Sequence, residues 1–298
     1  MTADRSTSRG PVRYLPVGAA GAGPYALTTG PDGALWVTLV HAGQIARLDP
    51  GGLADLYQLD SPVCRPSQIT TGPDGALWFT RAGDDRIGRI TVDGQATSFP
   101  VAPGSAPFGI TAGPYGALWF TAMSTDRIGR ITTDGQITEF PLPTIGAMAS
   151  MITADPDGAL WFTLNQAHAI GRLSMDGEAT SYPLPTPDAG PVGITATPDA
   201  VWFVEIGAGQ VGRISPDGRI HEFALPDRDA RPHAIVADPD GGCWLSQWGT
   251  SSVAHVTEDG DVREVALPAS SEPHGLTIGP DGALWVALET GAVARIDR

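Results

Sequence analysis

Seven tryptophans recur at almost constant spacing along this chain, and that spacing limits the possible folds more than any other feature of the sequence. Successive members are 41 or 42 residues apart, and the series covers most of the 298-residue chain. The series is Trp36, Trp78, Trp119, Trp161, Trp202, Trp244 and Trp285. A fixed period of this length indicates a repeat architecture in which each unit packs against its neighbours.

One repeat unit, which starts at Phe108, shows what each unit is expected to fold into. It reads FGITAGPYGALWFTAMSTDRIGRITTDGQITEFPLP, in which four short runs of β-forming residues are separated by glycine-containing turns and a polar loop. None of these runs has the length or the period of an amphipathic helix. Four antiparallel strands in each of seven units predict an all-β fold, a seven-bladed β-propeller.

The two ends of the chain predict how the ring closes. The seventh unit stops after its third strand pattern and has no fourth, whereas residues 12–17 resemble the fourth strand of the other units. We therefore expect an N-terminal strand to complete the last blade, which removes exposed strand edges at the seam. The predicted organisation is a flexible N-terminal segment over residues 1–11 and a single propeller domain over residues 12–298.

The charge balance excludes several classes of partner. The chain has 18 Lys and Arg residues against 33 Asp and Glu residues, a formal net charge of −15. This surplus of negative charge argues against nucleic acid and against an anionic membrane as partners. The N-terminal residues contain no apolar run of signal-peptide length and no stretch could span a bilayer, so we expect a cytoplasmic protein.

Residues that break the repeat are the candidates for function, because residues present in every unit are explained by the fold. The first residue of each innermost strand should face one mouth of the central channel. This position holds Tyr25 in unit one, His233 in unit six and His274 in unit seven, three units that ring closure makes neighbours. We interpret the other four histidines as surface or packing residues: His41, His168, His221 and His255.

Two carboxylates that have no counterpart in the other units lie near His274. Glu272 precedes it by two residues and would share its face on an extended strand, and Glu289 ends the next strand, which returns antiparallel beside it. Two carboxylates suit a hard divalent cation such as Mg²⁺, and an adjacent neutral histidine suits a general base. The alternative is a solvated ion pair at the rim of an ordinary channel.

At this point the motifs resemble those of the virginiamycin B lyase family. The resemblance covers residues 12–298 and is sharpest at Ala-Arg-Pro-His in 230–233, Glu-Pro-His-Gly in 272–275 and Gly-Pro-Tyr in 23–25. It implies a monomeric, Mg²⁺-dependent carbon–oxygen lyase that linearises type B streptogramin antibiotics. By position, it implies that His274 is the proton acceptor, that Glu272 and Glu289 bind Mg²⁺, that His233 binds substrate and that Tyr25 lines the same cleft.

The chain departs from this family three residues after each tryptophan, where relatives often have Glu and only Glu205 remains. We expect the substituted residues to alter the charge and width of the cleft. They include Arg81, Ala122, Leu164 and Gln247.

The resemblance implies elimination. In the cyclic depsipeptide the terminal phenylglycine acylates a threonyl oxygen, so loss of the threonyl Cα proton expels a carboxylate and leaves a dehydrobutyrine. The threonyl Cα–H is a weak acid, and Mg²⁺ makes its removal possible by stabilising the negative charge that develops on the neighbouring oxygens. Two alternatives stay open: a metal-dependent lactone hydrolase that uses metal-bound water, and a non-catalytic ligand-binding or scaffold propeller.

Overall fold

The computed structural model describes residues 12–49 and 51–298, and over these residues the chain forms seven four-stranded antiparallel sheets. The helical structure in the described residues is a single 3-10 turn at Pro114–Gly116. Within the same ranges, no helix is long and apolar enough to cross a membrane. The predicted all-β fold of seven blades with four antiparallel strands each is confirmed. The segment over residues 1–11 that we predict to be flexible lies outside the described residues.

Each sheet forms one blade, and within blades one to six the strands follow chain order from the channel outwards. Blades one to three contain β2 (Pro24–Thr29), β3 (Leu35–Leu39), β4 (Gln44–Leu48) and β5 (Ala54–Gln58); β6 (Pro66–Thr71), β7 (Leu77–Arg81), β8 (Arg86–Ile90) and β9 (Ala96–Pro100); β10 (Pro107–Gly113), β11 (Ala117–Ala122), β12 (Arg127–Thr132) and β13 (Ile137–Pro141). Blades four to six contain β14 (Ala149–Ala154), β15 (Leu160–Leu164), β16 (Ala169–Leu173) and β17 (Ala179–Pro183); β18 (Pro191–Ala196), β19 (Val201–Glu205), β20 (Gln210–Ile214) and β21 (Ile220–Ala224); β22 (Pro232–Ala237), β23 (Cys243–Gln247), β24 (Ser252–Val256) and β25 (Val262–Ala266). Blade seven contains β26 (Pro273–Ile278), β27 (Leu284–Leu288), β28 (Ala292–Ile296) and the N-terminal strand β1 (Arg13–Pro16).

The ring closes where the two ends of the described chain meet in one sheet. Strand β1 pairs antiparallel with β28, and Tyr14 lies opposite Ala294. On the channel side, a Cβ atom on Gly275 would lie 2.7 Å from the Cα atom of Ala26. Glycine at this position therefore allows the innermost strands of blades seven and one to approach closely. The predicted closure by an N-terminal strand is confirmed.

Buried threonines two residues after the tryptophans link the first four blades to their successors. The hydroxyl of Thr38 donates a hydrogen bond of 2.8 Å to the carbonyl of Ser67, and that of Thr80 donates one of 2.7 Å to the carbonyl of Phe108. Thr121 and Thr163 make the same contact with the next blade. Each accepting carbonyl belongs to the innermost strand of the following blade, close to the channel mouth. These contacts therefore fix residues of the mouth relative to the neighbouring core.

A second repeated contact lies at the opposite end of the blades. In blade two, the carboxylate of Asp74 accepts hydrogen bonds from Trp78 Nε1 at 2.9 Å and from Arg89 Nε at 2.7 Å. Blades one and seven have the same arrangement, around Asp32 and Asp281. Blade three has Tyr115 in the place of this aspartate, and the buried Nε1 of Trp119 hydrogen-bonds to no described residue. The tryptophan repeat is therefore stabilised by turn carboxylates, and blade three lacks one.

Candidate functional site

A β-bulge in every innermost strand determines which side chains occupy the channel mouth. In blade seven, Pro273 pairs with Leu288 but Leu276 pairs with Val286, so three steps along β26 match two along β27. The other six innermost strands shift register at the equivalent place. Bulges redirect side chains and are frequent beside active sites. The residues at the start of the bulges are Tyr25, Ser67, Phe108, Ser150, Val192, His233 and His274.

Three of these bulge residues form one aromatic cluster across blades six, seven and one. The ring centroids of His233 and His274 are 4.7 Å apart with an interplanar angle of 83°, and those of Tyr25 and His274 are also 4.7 Å apart. The ring of Tyr25 lies 6.0 Å from that of His233. The structure therefore brings together the three residues that their positions in the repeat place at this mouth.

Glu289, the first residue after β27, connects this cluster to blade one. Its Oε2 atom forms an ion-pair contact with Nε2 of His274, and its Oε1 atom lies 2.7 Å from Nε2 of His41. These two imidazoles, with the hydrogen bond to His274 as the largest cause, lower the pKa of Glu289 to about 2, although its partial burial acts in the opposite direction. At neutral pH Glu289 is therefore an ionised acceptor between two histidines.

The other two members of the cluster are held in uncharged forms. Burial, assisted by the nearby charge of His274 and opposed by that of Glu289, lowers the pKa of His233 to about 3. Burial and the charge of Glu289 raise the pKa of Tyr25 well above its usual range, with Arg65 opposing them. The Nδ1 atoms of His233 and His274 are buried, and neither hydrogen-bonds to a described residue. His233 and Tyr25 thus present neutral rings beside the ionised carboxylate of Glu289.

Glu272 does not share the face of His274 as the sequence predicted. The backbone amide of Glu289 donates a hydrogen bond of 3.1 Å to the carbonyl of Glu272, so the two residues are adjacent. However, Glu272 has a φ of 51°, in the left-handed region, and the alternation of an extended strand does not apply there. Its side chain lines a groove of about 780 Å³ together with Arg231 and Trp248.

Two neighbouring concavities lie at this mouth. The channel cavity of about 270 Å³ is lined by Tyr25, His41, Phe108 and Glu289 among others. The groove that contains Glu272 lies between blades six and seven, where the guanidinium of Arg231 stacks 5.4 Å from the ring centroid of Trp248. Together they have the size of a site for a small cyclic ligand.

The donor atoms near Glu289 fit a hard cation in their chemistry. No group of three or more His, Cys, Asp and Glu side chains within residues 12–49 and 51–298 is arranged to hold a metal ion. An ionised carboxylate has about four lone-pair sites, so the contacts with His41 and His274 leave one site on each oxygen. Glu272 lies beside Glu289, because its carbonyl accepts a hydrogen bond from the backbone amide of Glu289. The carboxylates that could take part in holding Mg²⁺ are Glu289, which lines the channel cavity, and Glu272, which lines the neighbouring groove.

The residues three positions after each tryptophan lie inside the blades and not in the cleft, so our expectation that they set its charge and width is wrong. Arg81 is 2% exposed and is paired with Asp60 and Asp84. Glu205 and Gln247 are fully buried and contact neighbouring strands. Ala122 and Leu164 are buried too. The cleft is lined by the next residue along, such as Met123 or Glu289, because side chains alternate on a strand.

His41 is the site residue that the sequence interpretation missed. We interpreted it as a surface or packing histidine because it lies in a loop, yet its imidazole contacts Glu289 across the seam. The sequence feature that could have identified it is its position, because it follows β3 in blade one, the blade next to blade seven. Of the other histidines, His168 and His255 face Asp188 and Asp238, and His221 is exposed.

Comparison with known proteins identifies relatives of the whole propeller. The sequence profile of the virginiamycin B lyase family matches residues 11–296. The crystal structure of virginiamycin B lyase from Staphylococcus aureus is 39% identical, with a TM-score of 0.92 over 97% of this chain and 99% of that chain. A catalytically inactive histidine-to-alanine form of the S. aureus lyase, crystallised with quinupristin, is 38% identical over the same shares, also with a TM-score of 0.92.

A curated relative gives a shorter match. Virginiamycin B lyase of Saccharopolyspora erythraea is 67% identical over 39 residues, and the matched stretch spans 13% of this chain and 13% of that protein. The profile match and the two solved structures, in contrast, extend over nearly the full propeller. This chain therefore belongs to the virginiamycin B lyase family.

Proposed function

We propose that this protein is a carbon–oxygen lyase that linearises type B streptogramins by elimination at the threonyl ester. The observation that carries the proposal is the contact between His274 and ionised Glu289 at the channel mouth, beside Tyr25 and His233. The relative crystallised with quinupristin supports the substrate class, and its inactivity as a histidine-to-alanine form supports the need for a histidine.

The contact with Glu289 determines which atom of His274 acts as the base. An ionised carboxylate accepts hydrogen bonds and cannot donate them, so Nε2 of His274, which faces it, carries a proton. A neutral imidazole then has its lone pair on Nδ1. Neither ring nitrogen meets the geometric criteria of a hydrogen bond within the described residues, so the close approach of Nε2 to Glu289 Oε2 is what places the proton on Nε2. Glu289 thereby fixes the tautomer of His274 and stabilises the imidazolium that proton abstraction creates.

The reaction breaks the Cα–H and Cβ–O bonds and forms an N–H bond on His274 and a Cα–Cβ double bond. Nδ1 of His274 takes the proton from the threonyl Cα, the electron pair forms the Cα–Cβ double bond, and the Cβ–O bond breaks with release of the phenylglycine carboxylate. The product is a linear peptide that contains dehydrobutyrine. Since no water is consumed, substrate and product have the same mass.

Mg²⁺ is part of this proposal, with Glu289 and Glu272 as the residues that would hold it. When bound, the cation would supply several kcal/mol of stabilisation to negative charge that develops on carbonyl and carboxylate oxygens. His233 and Tyr25, whose rings enclose His274, bind and orient the substrate and exclude water from the base. We place Arg231 and Trp248 in the groove that receives the part of the macrocycle away from the ester.

Mass spectrometry of a type B streptogramin incubated with the protein, with and without EDTA, tests the proposal. Elimination gives a ring-opened product of unchanged mass, detected by its shifted retention and by the dehydrobutyrine fragment. A product heavier by one water molecule would identify the lactone hydrolase instead. Binding without any conversion, at every divalent cation supplied, would identify a non-catalytic propeller.

A further inference from the structure

His41 and Glu289 meet across the seam of the propeller, although they are 248 positions apart in the chain. His41 follows the second strand of blade one, and Glu289 follows the second strand of blade seven. The 2.7 Å contact joins Nε2 of His41 to Oε1 of Glu289, whereas the other oxygen of Glu289 faces His274. The carboxylate thus has one imidazole on each oxygen, with a different blade supplying each.

The burial of the two histidines differs. The side chain of His41 is 48% exposed, whereas that of His274 is 10% exposed. His41 is therefore on the solvent side of Glu289 and reaches the buried base only through the carboxylate. Such an arrangement matches a residue that orients a catalytic group without touching the reacting atoms.

We propose that His41 is a positioning residue, whose Nε2–H donates to Glu289 Oε1 and thereby holds Oε2 against His274. This inference rests on the proposed function, in which the contact with Glu289 fixes the reactive tautomer of His274. A carboxylate on a side chain with three rotatable bonds has several orientations, and a second hydrogen bond reduces them to one. Without His41, Glu289 can rotate towards solvent in the open channel cavity and leave His274 without its acceptor.

Three variants separate this role from a purely structural one. His41→Ala removes the donor, and His41→Gln retains an N–H group that can reach the same oxygen. His168→Ala is the matched control, because His168 is another partly exposed histidine at a rim loop and contacts Asp188 instead of the site. Steady-state elimination of a type B streptogramin gives kcat and KM for each variant. A second measurement, nitrogen-15 NMR of the histidine rings in EDTA-treated protein, reports the tautomer of His274 without any reaction.

We expect His41→Ala to lower kcat by about 10-fold, at the lower end of the effects of outer residues that orient active-site groups, with KM changed by less than about twofold. His41→Gln should recover most of the loss, and His168→Ala should have no effect. The NMR signals should show the Nε2–H tautomer of His274 in the parent protein and in His41→Gln, and a mixture of tautomers in His41→Ala.

Two results would overturn the role of His41 while leaving the lyase function in place. One is activity of His41→Ala equal to the parent, and the other is equal impairment of His41→Ala and His41→Gln. If the parent converts no streptogramin, the proposed function fails and the NMR measurement alone decides the role of His41. A His274 tautomer unchanged by His41→Ala would then reject it.

Discussion

The backbone amide of Glu289 donates a hydrogen bond of 3.1 Å to the carbonyl of Glu272, so the two carboxylates proposed to bind Mg²⁺ are joined through their main chains. Their side chains nevertheless line different concavities, the channel for Glu289 and the groove between blades six and seven for Glu272. Their contributions to catalysis should therefore differ in kind.

The first prediction compares the two carboxylates. Glu289→Gln should lower kcat at saturating Mg²⁺, because a neutral amide oxygen is a weaker proposed metal ligand and stabilises the imidazolium of His274 less than a carboxylate does. Glu272→Gln should raise the Mg²⁺ concentration needed for half-maximal rate while leaving more of kcat. Titrations of rate against Mg²⁺ distinguish the two. Glu272→Gly is a second variant without the carboxylate, and it adds no backbone strain because glycine readily adopts the positive φ of this position. An unchanged Mg²⁺ requirement in both glutamine variants would contradict the metal assignment.

The second prediction concerns the two histidines that occupy equivalent bulges. His274→Ala should lower kcat and kcat/KM together by about 10²–10⁴-fold, because a general base acts in the transition state. His233→Ala should act more on KM, since its ring packs beside that of His274 and we propose that it binds substrate. Kinetics of both variants under identical conditions provide the comparison. Equal and modest losses in the two would show that neither histidine is the base.

The third prediction is the effect of acid on stability. Because burial lowers the pKa of His233 to about 3, the unfolded chain binds a proton that the folded chain does not between about pH 6.5 and pH 3, and folding weakens as pH falls through that range. For Glu289, whose pKa is lowered to about 2, stabilisation is complete above about pH 4.5 and is lost below it. His233→Gln should reduce the slope of unfolding free energy against pH by up to about 1.4 kcal/mol per unit between pH 4 and pH 6. Chemical denaturation at several pH values measures that slope, and an unaltered slope would contradict a His233 that stays neutral in the folded protein.

The fourth prediction uses blade three, which lacks the turn aspartate of its neighbours. Tyr115→Asp should raise the free energy of unfolding by about 1 kcal/mol, because the buried Nε1 of Trp119 and the guanidinium of Arg130 gain a carboxylate acceptor. Aspartate also tolerates the φ of 59° at this position better than tyrosine does. Thermal unfolding measures the effect, with Tyr115→Ala as control. A gain of the same size in the alanine variant would mean that removal of the exposed ring is responsible.

The fifth prediction tests the burial of Arg81. Replacement by leucine, the residue at the same position in blades one, four and seven, should leave kcat/KM within about twofold, since the side chain is inside the blade. Stability should fall by about 1 kcal/mol, a small loss for a buried cation, because the partner carboxylates of Asp60 and Asp84 keep access to solvent when Arg81 is replaced. Kinetics and chemical denaturation of Arg81→Leu check both statements. A large change in KM would place Arg81 in the substrate path.

The tryptophan period predicts the blades because its cause is local, an aromatic side chain buried once in each sheet. The meeting of His233, His274 and Tyr25 also follows from the period, because equivalent positions in a ring point to the same axis. The direction of Glu272 could not be predicted in this way. Its counterparts all have positive φ, but most of them are not glycine, so composition gives no sign of the left-handed backbone. They are Gly23, Arg65, Ala106, Met148, Gly190 and Arg231.

His41 escaped prediction for a different reason. Its contact with Glu289 depends on the height and curvature of two loops that belong to different blades, and no pattern within one repeat specifies these. The spacing of the repeat locates residues on strands. Contacts between loops of adjacent blades depend instead on how far each blade is rotated relative to the next.

Strand β1 closes the ring by pairing with β28, so the candidate site forms only when blades one and seven have come together. Tyr25 and His41 come from blade one, and His274 and Glu289 from blade seven, so a growing polypeptide cannot assemble the proposed catalytic centre until blade seven has been synthesised. The six intervening seams can form in order, but the seventh joins residues that are furthest apart in sequence. A reversible opening of that one seam would separate Tyr25 and His41 from His274 and Glu289 while leaving most of the β-structure intact. Activity would then report the integrity of the closing seam long before spectroscopy detects unfolding.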